Sequence, residues 1–80
     1  MHREIELRYK NEYRNTELRE LIYKFIELNH QYQRATVAFL LHPNPPYRDS
    51  DLLYIEFIKR KVEIAQEIIN ENNDDHYRRY

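Results

Sequence analysis

Four groups of residues have side chains and spacings that chemistry uses. Glu27 and His30 stand three apart, the helical spacing by which di-metal bundles hold their ions, and Glu56, Glu63 and Glu67 would add carboxylates if two copies met. Ser50, the only serine, lies between Asp49 and Asp51 and follows His42, which assembles a nucleophile, a base and an orienting acid in one short stretch. Lys59-Arg60-Lys61 and Tyr77-Arg78-Arg79-Tyr80 concentrate positive charge, the second with interleaved rings of the kind that single-strand nucleic-acid binders use. Arg14, Arg19, Lys24 and Arg48 are cations that would meet a small anion or nucleotide at a subunit interface, with tyrosine stacked beside them.

Each group has a plainer explanation in helix physics. If Phe25, Leu28 and Tyr32 face a core, Glu27 and His30 fall on the far side of the same helix, where a metal would meet solvent. Asp49 and Ser50 are good helix caps, and His42 suits the negative end of a helix dipole. Three consecutive helical residues point about 100° apart, so Lys59, Arg60 and Lys61 do not form one patch, and Glu56 and Glu63 lie one turn away as ion-pair partners. Asp74 and Asp75 offset the cationic tail. Arg19 and Lys24 have Glu20 and Glu27 close along the helix.

Composition narrows the chemistry further. The 80 residues contain no glycine, cysteine or tryptophan. A phosphate-cradling loop, a dinucleotide fingerprint and a nucleophile elbow all need glycine, and a disulfide, a thiolate nucleophile or a zinc ribbon needs cysteine. Thirteen basic against fourteen acidic residues leave a net charge of -1, which gives no field directed at nucleic acid or an anionic membrane. The longest apolar run is Val37–Leu41, far short of the roughly 20 residues that cross a bilayer, and the polar first twenty residues do not read as a secretory signal. No cofactor, metal or membrane contact is expected, and the expected location is cytoplasmic.

The elements that must carry these residues are helices. Three prolines at 43, 45 and 46 force a turn over 42–50. Before it, Leu18, Leu21, Phe25, Leu28, Tyr32, Ala35 and Phe39 alternate at spacings of three and four; after it, so do Ile55, Ile58, Val62, Ala65 and Ile69. Extended backwards, the first stripe loses phase between Tyr13 and Leu18, and Asn15-Thr16-Glu17 has the composition of a cap and an acidic first turn. The pattern predicts helices at about 3–13, 16–41 and 51–70, with a single bent helix through the first two as the alternative. An antiparallel hairpin of the two long helices carries the short N-terminal one, which must dock or fray. Residues 1–75 form one helical domain and 76–80 a mobile tail.

The apolar content exceeds what a lone hairpin can hide. Eleven of eighteen residues from Leu52 to Ile69 are apolar, and fourteen of twenty-four from Leu18 to Leu41, where one buried stripe needs about three in seven. The fold expectation is therefore an all-α helical hairpin assembling into a helical-bundle oligomer, most simply a homodimeric four-helix bundle, with Ile22, Ile26, Phe57, Ile64 and Ile68 at the interface. Eight tyrosines favour contact over catalysis. The function expected is that of a small non-enzymatic interaction protein, an adaptor or inhibitor, binding another protein as a homo-oligomer. Tyr9, Tyr13, Arg14, Arg19, Lys24, Tyr47 and Arg48 are the candidate partner or ligand contacts. The alternative is a binder of a small anionic ligand or nucleotide at the subunit interface; nucleic-acid binding and a small helical enzyme rank below it.

Overall fold

The computed structural model describes the backbone of residues 1–41 and 48–78 and the side chains of 1–41 and 50–72. Those residues form three α-helices: α1 (Arg3–Arg14), α2 (Leu18–Leu41) and α3 (Arg48–Arg78). The chain is all-helical, as the three-four spacings predict. No helix among the described residues is long and apolar enough to cross a membrane.

Helix α1 starts at His2, whose Nδ1 accepts from the Glu4 amide at 3.2 Å, with Glu4 and Glu6 in the positive first turn. It ends where the phase slip predicts. The Asn15 amide donates back to the Asn11 carbonyl, and the Thr16 amide to that of Tyr13. The Thr16 hydroxyl donates to the Glu12 carbonyl at 2.7 Å, so it closes α1 instead of capping α2. Helix α2 takes its first turn from Glu17, whose carbonyl accepts from the Leu21 amide.

Helix α3 is longer than expected at both ends. It starts at Arg48, because Pro46 lies just ahead and no proline or glycine follows, so Ser50 sits inside the first turn and does not cap it. It passes through the amide-rich stretch expected to fray. Asn72 donates its side-chain amide to the Ile68 carbonyl, and Glu71 is held by Arg14 of α1. The helix reaches Arg78, within the expected mobile tail; residues 79–80 and the proline turn at 42–47 lie outside the described residues.

Helices α2 and α3 lie along one another, and α1 packs on α3. Glu6 meets Arg60 and Arg14 meets Glu71, so α1 runs in the same direction as α3. The core is Tyr13, Leu21, Leu28, Ile64, Ala65, Ile68 and Ile69, with Tyr9, Leu18, Phe25 and Val62 around it. It draws on all three helices, and each fully buried aliphatic side chain in it contributes roughly 2 kcal/mol. The principal stripes of α2 and α3 face inward as their spacing predicts. Ile64 and Ile68 do not face outward. They are 0% and 1% exposed, because α1 already covers that side of α3, and the interface expected from them is corrected accordingly.

Candidate functional site

Helix α1 is attached by side chains of mixed character. Arg60 donates through Nε to Glu6, and through one terminal nitrogen, Nη1, to Glu63 at 3.1 Å and Glu67 at 3.2 Å. The hydrogen bond from Arg60 holds the Glu6 carboxyl below the usual carboxylate range. At the opposite end of α1, Arg14 forks onto both oxygens of Glu71 at 3.1 and 3.3 Å, and lowers that carboxyl too. From its place between Glu6 and Arg14 on α1, the Tyr9 ring meets Phe57 edge-on at 6.0 Å with the Lys61 ammonium 4.8 Å from its centroid. Tyr13 is wholly buried. Its hydroxyl has no hydrogen-bond partner among the described residues, and burial pushes it up to about 12.

Helix α1 is too short to cover α3 from end to end. Twelve residues span about 18 Å and thirty-one about 46 Å. The ring and ion-pair contacts of α1 on α3 run from Phe57 to Glu71. At 100° per residue, Leu53 and Tyr54 continue the face that holds Phe57, Ile64 and Ile68. Beyond these contacts they are exposed, Leu53 at 66%, while Leu52, also exposed, lies about 140° round the helix from that face. A second open apolar surface lies on α2. Ile22, Ile26, Val37, Leu40 and Leu41 point away from α3, Leu40 and Leu41 at 69% exposure each.

The residues expected to act together are scattered by the fold. Of the five expected at an interface, Ile22 and Ile26 are exposed on α2, Phe57 is half-buried under Tyr9, and Ile64 and Ile68 are internal. Tyr13 is a core residue, not a contact for a partner. Arg14 is tied to Glu71 and Lys24 to Glu12 at 3.2 Å, while Arg19 is exposed. Tyr47, and the side chain of Arg48, lie outside the described residues. A shallow groove beside Lys24 is lined by Thr16, Glu20, Tyr23, Lys24 and Glu27. Its two carboxylates disfavour an anion, so the geometry lends the nucleotide alternative no help. Glu27 and His30 are both exposed, and among the described residues no three metal-ligating side chains come together.

Leu53 and Tyr54 are not among the interface residues expected from the sequence. Their signal was present in the apolar excess of α3, but choosing among the eleven apolar residues requires knowing where α1 stops. Compared with protein-family models, curated proteins and solved structures, the chain matches none.

Proposed function

We propose that this chain is a small non-enzymatic interaction protein of the adaptor or inhibitor kind, cytoplasmic, and acting as a homo-oligomer that binds another protein. One observation carries the reading: Leu53 and Tyr54 are exposed on the stretch of α3 beyond the contacts of α1. The part of that face further along α3 is already occupied by an amphipathic helix, α1, through rings and ion pairs. A partner's amphipathic helix laid end to end with α1 would use the same groove. Tyr54 suits such a contact because its ring supplies area while its hydroxyl stays wet. Homo-oligomerisation draws on the other open face, on α2, where at about 25 cal/mol per Å² apolar exposure favours association.

The test compares the chain with Leu53→Glu and Tyr54→Glu variants. Capture of a defined protein from lysate by the parent chain, lost in both variants while helicity is unchanged, is the expected result. Sedimentation should give a mass above the 10.1 kDa of one copy at high micromolar concentration. A monomer throughout, with the same proteins captured by parent and variants, would overturn the reading.

A further inference from the structure

We infer that a second copy of this chain docks on the outer face of α2, antiparallel and related by a twofold axis. Ile22 then lies against Leu40 of the partner subunit, and Ile26 against the partner's Val37. This rests on the homo-oligomer reading above and specifies its interface.

The inference starts from the helical wheel of α2. Its inward stripe contains the buried Leu21 and Leu28 and the half-buried Phe25, Tyr32, Ala35 and Phe39. At 100° per residue, Ile22, Ile26, Gln33, Val37 and Leu40 project within about 60° of one another on the other side, flanked by Tyr23, His30 and Leu41. Ile26 is 46% exposed and Val37 52%. Helix α1 does not obstruct this face, since its Glu12 reaches α2 at Lys24, about 160° round the wheel from Ile26.

The order of residues along the face selects the occupant. The stripe runs apolar, polar, apolar: Ile22 and Ile26, then His30 and Gln33, then Val37, Leu40 and Leu41. Reversed about a midpoint between Gln31 and Tyr32, it maps onto itself. Ile22 and Tyr23 exchange heights with Leu41 and Leu40, Ile26 with Val37, and His30 with Gln33, so that Ile22 and Leu40, on one edge, come together, as do Tyr23 and Leu41 on the other. An isologous contact requires a surface that complements itself in this way, and an unrelated partner does not.

Charge fixes the direction. Glu27 and Arg34 are exposed on one edge of the stripe, seven residues apart. In an antiparallel pair that edge faces its own copy, so Glu27 meets Arg34 of the partner subunit, twice. In a parallel pair the edge faces the opposite one and both contacts are lost. The stretch Ile22–Leu41 is about 29 Å long and one helix wide, less than a standard interface of roughly 800 Å² per partner, so the dimer belongs to the weak, concentration-dependent class.

Disulfide capture tests the register, since the natural chain has no cysteine to give background. An Ile26→Cys/Val37→Cys double variant should oxidise to a covalent dimer. Within one chain the two positions are about 16 Å apart along the helix and cannot bridge. Either substitution alone should cross-link no better than Arg8→Cys on α1. Single variants that cross-link as well as the double one, or a double variant that stays monomeric, would overturn the proposal. A charge swap checks it without cysteines: Glu27→Arg should weaken dimerisation several-fold, and Glu27→Arg with Arg34→Glu should restore it, whereas an unrestored double swap refutes the register. Loss of this register with the dimer mass and the Leu53-dependent capture retained removes only the α2 interface; loss of all three removes the interaction function itself.

Discussion

Arg60 on α3 is bonded to Glu6 on α1, fifty-four residues away in sequence, and the same guanidinium also holds Glu63 and Glu67 of its own helix. One cation thus gathers three carboxylates and fixes the position of α1 on α3. Arg14 and Glu71 repeat the arrangement at the other end. With the contact of Tyr9 on Phe57, these pins decide which apolar residues the chain hides.

Acid should release α1 first. Glu6 and Glu71 have carboxyls held below their usual range, so their contribution is fully present above the unfolded-state value near 4.5 and is lost as pH falls through the lowered folded values. Amide protection factors in α1, corrected for the intrinsic pH dependence of exchange, should fall between about pH 5 and pH 3, ahead of those in the middle of α3. Added salt should weaken Arg14–Glu71, where both side chains are half-exposed, more than Arg60–Glu6. Uniform protection across α1 and α3 over this range would contradict the ion-pair account.

Tyr13 should ionise well above the usual tyrosine range. Burial raises its folded-state value to about 12 against about 10 for an unfolded tyrosine, so its contribution is complete below pH 10 and is lost as pH rises towards 12. Two units amount to roughly 2–3 kcal/mol, enough to bring alkaline unfolding into this window. An ultraviolet titration of tyrosinate should show one late step, absent in Tyr13→Phe.

The Tyr13 ring and its hydroxyl should have opposite effects on stability. Tyr13→Phe keeps the ring and removes a buried polar atom without a described partner, so unfolding free energy should hold or rise by about 1 kcal/mol. Tyr13→Ala empties the centre of the core, which should lose about 3–5 kcal/mol. Urea unfolding of both variants measures the difference. A Tyr13→Phe variant weaker by more than about 1 kcal/mol would mean that the hydroxyl is bonded, most simply to a water.

Substitution of isoleucines should separate the inner from the outer ones. Ile64→Ala and Ile68→Ala should each cost about 2–5 kcal/mol, because both side chains are enclosed. Ile22→Ala and Ile26→Ala, measured at concentrations where the chain is monomeric, should change stability by less than about 1 kcal/mol. Equal losses at all four positions would place α1 elsewhere.

The sequence by itself determined the local elements. Spacings of three and four put Leu21, Leu28, Ile58, Ala65 and Ile69 on inward faces, and the slip between Tyr13 and Leu18 marks the break between α1 and α2, because periodicity depends only on near neighbours. The length of α3 was less legible, since capping and fraying signals in 49–51 and 70–75 compete with a continuous run free of glycine and proline. Only the tertiary structure decided how the apolar excess is divided. Whether Ile64 and Ile68 are hidden depends on where α1 lies, and that is fixed by Glu6 with Arg60, Arg14 with Glu71 and Tyr9 with Phe57, pairings between residues far apart in the chain. Every candidate partner lies on some helix face, and the spacing within one helix carries no information about which face of another it will meet.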